Sequence, residues 1–397
     1  MPQTKTFSRT IERTKEDRGA IPVLRDLLTP FMMIELTREI DSQVSIRVAP
    51  SSYPATLLKR KTGAQVDELL NYYGRISEAC EKFGDKMSPS RMASIAELGY
   101  RLFILLFDDE EQRFIKNRMS QVEYLAAKTP QTFVLGEYIP DQILVTSDGI
   151  NIPWEFIYSE QVHSVDDVNP KFFLGSSFFI QQCVSLAKNR WATSRPFSRK
   201  AGISIFFDDN LDVASKKEAP GIVQLFQSSA AVAKLMAPIA PNSGQFGLLA
   251  KAVNSTEADI IHFACHATIN KVGEIKIFVR SAYSESDLQF TNHLGNAKSG
   301  AFIFLNACNL APRQSKQIDH LVNKLLANGY SAVIATEIEI GDQEAWTFAE
   351  LVYGYLLNPH CKSLQKAMYH ARRSMMAQGI IAGYTYKFYG NIDLVVN

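Results

Sequence analysis

Two apolar runs stand out along the chain, IIHFACHAT at 260–268 and AFIFLNACN at 301–309. Each is rich in Ile and Phe and breaks off into small and polar residues. Unbroken runs of this length, among segments of helical period, predict strands buried on both faces of a parallel sheet. Around them strands and helices alternate. GISIFF at 202–207 predicts a strand, and a helix follows Pro220 with Ile222, Leu225, Phe226, Ala233 and Met236 facing inward. A shorter helix is expected near 246–253, and KIFV at 276–279 as an edge strand or hairpin arm. Ile318, Leu321, Val322, Leu325 and Leu326 recur at i, i+3, i+4, i+7 and i+8, which predicts a helix closed by Gly329. SAVIATEI is the next strand, helices follow near 343–357 and 362–377, and YGNIDLVV ends the chain as a last strand. The alternation implies βαβ units, hence an α/β fold with a mostly parallel sheet flanked by helices.

The first half reads less clearly. TIERTKEDRG suggests an exposed helix, FMMIEL a short buried piece, and SIRVAPSSYPATL, with two prolines, a loop. From 61 to about 126 the period is helical. Val66, Leu69, Leu70 and Tyr73 keep one face, as do Ile95, Leu98, Leu102 and Leu105. TFVLGEY, QILVTS and INIPWEFIY then look β-like, with Asp148-Gly149 as a hairpin signal between the last two. AKNRWATSRPFSRK at 187–200 holds five basic residues and no acidic one, and reads as a linker or an exposed processing site. Three regions result: a mainly helical N-terminal region at 1–90, helices plus a β-hairpin at 91–195, and the α/β domain at 196–397.

Composition narrows the function classes. With 46% hydrophobic and 21% charged residues the chain is ordinary globular material, and a net charge of +1 gives no reason to expect nucleic acid. The first twenty residues hold no apolar core of a signal peptide, and no apolar run reaches membrane-spanning length. Cys80, Cys183, Cys265, Cys308 and Cys361 are odd in number and lack CxxC spacing, which argues for a reducing, cytoplasmic setting.

The two apolar runs deliver His266 and Cys308 to the carboxyl edge of the sheet, where open α/β sheets hold their ligands. A thiol becomes a nucleophile near neutral pH when an imidazole accepts or stabilises its charge. The two residues stand 42 apart, from 266 to 308, compatible with the His-before-Cys order of caspases. The backbone N–H groups of Ala267 and Cys308 are the expected oxyanion donors. No Asp or Asn offers itself as a third member, so a dyad is expected. His262 and Cys265 read as packed strand residues, because a zinc site would need further ligands. Glu337, Glu339 and Asp342 follow the next strand and are expected at the same edge, as a negative substrate-binding subsite or as exposed loop charge. No cofactor or metal is expected.

HFACHAT, then AFIFLNAC, then a helix ending in ANGYSAVIAT resembles the CHAT family of caspase-like cysteine proteases. IPWEFIY at 152–158 is similar to that family's L-P-W-E segment, EAPGIVQLF at 218–226 to the stretch before its first large helix, and YKFYGN to its closing pattern. The resemblance runs from about 90 to 397. It implies a caspase-type fold, with His266 as base and Cys308 as nucleophile of an endopeptidase. Family members commonly serve as bacterial effectors of defence or programmed death. The protein substrate, for instance a pore-forming effector encoded nearby, and a regulatory protein partner would then lie outside this chain. The family's Gly after the His is Ala267 here, and the Cys is followed by Asn-Leu-Ala-Pro. Those departures motivate the alternative, a proteolytically silent scaffold or sensor on the same fold.

Overall fold

The computed structural model describes residues 30–38, 44–50, 59–61, 63–80, 87–147, 152–184, 201–208, 210–229, 232–235, 258–269, 275–279, 281–283, 301–308, 321–323, 325–327, 329–336, 338, 340–361 and 363–390. In chain order these give strands β1 (Met32–Arg38), β2 (Val44–Pro50) and β3 (Lys59–Lys61) and helices α1 (Gly63–Cys80), α2 (Pro89–Leu106) and α3 (Asp109–Lys128). Strands β4 (Asp141–Ser147), β5 (Phe178–Val184) and β6 (Ala201–Phe207) precede helix α4 (Ala219–Ser228). Then come β7 (Val232–Leu235), β8 (Ile260–Ile269), β9 (Ile275–Val279), β10 (Ser281–Tyr283), β11 (Phe302–Cys308) and β12 (Ala332–Thr336). Helices α5 (Asp342–Leu357) and α6 (Leu364–Ala377) and strand β13 (Tyr386–Gly390) close the described chain.

All thirteen strands belong to one sheet. β8 pairs in parallel with β11 on one side and with β6 on the other, and β11 pairs in parallel with β12. β13 turns antiparallel to β12 and joins the first half through β5. From there β4 and β1 continue in parallel, and β2 and β3 close the far edge antiparallel. This is the mostly parallel sheet with flanking helices that the alternation predicts.

The central strands form because their residues are apolar on both faces. Ile260, Ile261, Phe302, Phe304, Val333 and Ile334 are each 1% exposed or less. Burial of one such side chain contributes about 1.5–3 kcal/mol. Helices α4, α5 and α6 pack their apolar stripes on the face carrying Ile260, Phe302, Phe304 and Ile334. A second cluster joins β1, β2, β4 and β5 to α1 and α2. Helix starts are locally specified. Ser88 caps α2 ahead of Pro89, and a capping box between Asp108 and Glu111 opens α3. Gly329 takes φ +95° after the helical residues 321–323 and 325–327.

Several expectations change. FMMIEL and SIRVAP lie in the antiparallel pair β1–β2, with Met32, Ile34, Leu36, Val44, Ile46 and Val48 all buried. The alternation has period 2, and Pro50 ends β2 rather than excluding a strand. Residues 1–90 thus carry three strands as well as α1. TFVLGEY contributes to a helical turn, Pro130–Val134, rather than a strand. Trp154–Phe156 is a 3₁₀ turn, and β4 takes β1 and β5 as partners rather than the segment after Asp148-Gly149. KIFV does form a hairpin arm, pairing with β10. The last described strand ends at Gly390, so most of YGNIDLVV lies outside the described residues, as do TIERTKEDRG, the linker 187–200 and the helix expected near 246–253. No described helix is long and apolar enough to cross a membrane.

Candidate functional site

The register between β8 and β11 pairs Phe304 with His262, Asn306 with Ala264, and Cys308 with His266. Cys308 is the last residue of β11, and the parallel pairing stops at this rung. The two expected site residues therefore stand opposite one another at the carboxyl edge. β8 does not end there. It runs three residues beyond His266, to Ile269, and pairs antiparallel with β9, His266 opposite Phe278 and Ala267 opposite Ile277. The side chains at 266–269 and 307–308 lie outside the described set, as do Glu337 and Glu339. Asp342 is the first residue of α5. There its charge complements the amino end of the helix dipole.

Directly below the last rung lies a buried polar chain. Glu218 Oε1 bonds His262 Nε2 at 2.8 Å and accepts from Asn306 Nδ2. Asn306 Oδ1 accepts from the Tyr386 hydroxyl, and the Tyr353 hydroxyl lies 2.9 Å from His262 Nδ1. None of the five residues is more than 4% exposed. Burial and the Glu218 charge hold the Tyr353 hydroxyl well above its ordinary pKa, so it stays protonated and can donate to Nδ1. Nε2–H then donates to Glu218 Oε1. His262 is thus a packed strand residue as expected, but it is also a fully hydrogen-bonded one. Cys265 is buried at the opposite strand parity, paired with Ala307.

The Asn306 amide is held between Tyr386 of β13 and Glu218. Glu218, Tyr353 and Tyr386 were not singled out at all. The available signal was polar residues at alternate positions of otherwise apolar strands, since a buried polar group must find a partner. Glu218 is placed by a π-helical turn, Ala214–Glu218, which runs straight into α4.

The IPWEF segment is an anchor of the fold. Trp154 and Phe156 are buried, and the Glu155 carboxylate meets Arg372 Nη2 of α6 at 3.0 Å with both side chains fully buried. Arg372 Nη2 also donates to the carbonyl of Tyr386 at 2.5 Å. Among the described residues no group of three or more His, Cys, Asp or Glu could hold a metal ion.

A sequence profile of the CHAT domain matches residues 139–386. No curated protein matches the chain in sequence. Among solved structures, the fold is similar to a chain of the Saccharomyces cerevisiae separase–securin complex, at 10% identity and a TM-score of 0.46, covering 94% of this chain and 30% of that one. It is also similar to a chain of the complex of the pro- and mature domains of Porphyromonas gingivalis RgpB, at 11% identity and a TM-score of 0.44, covering 84% and 78%. This chain accordingly spans less than a third of the separase-complex chain that it matches.

Proposed function

The chain belongs to the CHAT domain family, and from that premise we propose that it is a cysteine endopeptidase, with Cys308 as nucleophile and His266 as general base. The observation that carries this reading is the register that sets Cys308 opposite His266 at the last parallel rung. Neighbouring strands lie about 4.8 Å apart, so a thiol and an imidazole on paired positions are close enough to exchange a proton. The imidazole takes the thiol proton, and sulfur attacks the scissile carbonyl. His266 then returns the proton to the leaving amine, and water hydrolyses the thioester.

Ala267 and Cys308 supply the oxyanion donors in this proposal. The Phe302 N–H donates to the Asp259 carbonyl across the β8–β11 seam at 2.9 Å. Strand alternation from that bond carries the Cys308 and Ala267 N–H groups to the same seam. They become available when a substrate carbonyl displaces the last rung, which makes the enzyme a gated one. Its substrate is a protein encoded outside this chain, and a regulatory partner opens the gate. Glu337, Glu339 and Asp342 favour a basic residue at the cleavage point. A role in bacterial defence or cell death accords with such gating, and so does a cytoplasmic setting.

Labelling with a thiol-reactive peptide warhead tests the chemistry. Mass spectrometry should find the adduct at Cys308 in the wild type and lose it in His266→Ala. Mapping of new protein N-termini in cells carrying wild type or Cys308→Ala should then reveal sites that depend on the thiol. Equal labelling of wild type and His266→Ala would refute the dyad and favour the silent scaffold.

A further inference from the structure

We propose that Glu218 is a positioning residue for the Cys308–His266 pair: its carboxyl ties β8 to β11 just below the reacting rung and holds the two strands in the register that brings thiol and imidazole together. The inference rests on the dyad reading above and adds to it a third residue from a different element.

Three observations support the tie. First, both bonds converge on one oxygen, Oε1, and come from the two strands that bear the dyad, His262 from β8 and Asn306 from β11. At about 3.3 Å of rise per residue, Asn306 lies about 7 Å below Cys308 and His262 about 13 Å below His266. Second, the far sides of both donors are fixed. Tyr353 of α5 contacts His262 Nδ1, and the Tyr386 hydroxyl of β13 donates to Asn306 Oδ1. Neither strand can slide without breaking a buried hydrogen bond on each side. Third, Glu218 reaches this place through a π-helical turn, closed by the N–H of Ala219 donating to the carbonyl of Ala214. Such turns are rare and frequently sit at functional sites.

Stability alone is a weak reason for the arrangement. Buried charged and polar clusters can often be replaced by apolar side chains of similar size with no loss of stability. Here five polar side chains occupy the space between α4, α5 and three strands, on a face otherwise filled by Phe, Ile and Ala. They gather beneath the rung that carries Cys308 and His266, with Asn306 two residues below Cys308 and His262 four residues below His266.

The test is the pH dependence of Cys308 alkylation by iodoacetamide in the full chain, followed by mass spectrometry of the Cys308 peptide. Glu218→Gln keeps the volume and Oε1 but removes the charge that strengthens both bonds. The expected result is alkylation about tenfold slower at pH 7, with the midpoint about one pH unit higher. In a His266→Ala background Glu218→Gln should slow the reaction no further, because the two residues act through one pair. A wild-type rate and profile in folded Glu218→Gln overturns the proposal, and so does an equal slowing in both backgrounds, which marks general loosening. If Glu218→Gln does not fold, Tyr386→Phe, which loses only the hydroxyl bonded to Asn306, is held to the same two criteria. His266→Ala at the wild-type rate across the pH range identifies failure of the dyad itself, and the positioning role falls with it.

Discussion

Exchange of Arg372 for Met should cost more stability than exchange of Arg372 and Glu155 together. The two side chains are fully buried and meet at 3.0 Å. Burial pushes the Arg372 guanidinium below its ordinary pKa, and the Glu155 charge opposes that shift. With an effective dielectric of about 20, a contact of this length is worth roughly 5 kcal/mol of attraction. That attraction compensates the desolvation of both charges, so removal of one partner leaves the other charge buried without this compensation. The expected loss for Arg372→Met is about 3–5 kcal/mol. Glu155→Met should cost a similar amount, because Arg372 then retains only the Tyr386 carbonyl, its Nε and Nη1 having no hydrogen-bond partner among the described residues. The double variant replaces the pair with apolar volume and should be within about 1 kcal/mol of the wild type or more stable. Urea unfolding, which leaves ionic interactions unscreened, gives all four midpoints. Single variants within about 1 kcal/mol of wild type, or a double variant whose loss equals the sum of the singles, would show that the pair is uncoupled and refute the reasoning.

Two further outcomes follow from particular side chains. His370 is held neutral by burial, its pKa pulled down to about 4, while Nε2 contacts the Tyr138 carbonyl at 3.1 Å. The unfolded chain therefore binds this proton first, near pH 6.5, so stability falls as pH drops from about 6.5 toward 4. The loss should approach about 3 kcal/mol, and thermal unfolding of His370→Phe between those pH values should lack that component. Gly99 lies where an added Cβ would come 2.1 Å from the Phe156 carbonyl oxygen and 2.9 Å from the Tyr158 N. Gly99→Ala must therefore push α2 off the IPWEF segment, at an expected cost of about 1–3 kcal/mol in denaturant titration; a neutral effect would mean that this backbone yields.

How much of this was legible from residues depends on the range of each signal. Apolar runs with no alternation marked β8, β11 and β12 as doubly buried strands, because burial on both faces is written locally in residue type. Helix α2 was legible for the same reason, through the 3.6-residue repeat of Ile95, Leu98 and Leu102. Turn-like segments misled. INIPWEFIY carries strand-forming residues, yet Glu155 is committed to Arg372, 217 residues along the chain, and the backbone folds into a 3₁₀ turn to deliver it. Local propensity gives way where a buried side chain has a distant partner.

The candidate site divides along the same line. The order of His266 and Cys308, each near the end of an apolar run, was set by the sequence alone. That they share one rung was decided only by β8 and β11 lying side by side, since register is a property of two strands and not of either. Glu218 reaches His262 across 44 residues and Asn306 across 88. Nothing in a local pattern connects them. A buried carboxyl is stable only where donors converge on it, and that convergence exists once α4 has packed against the sheet.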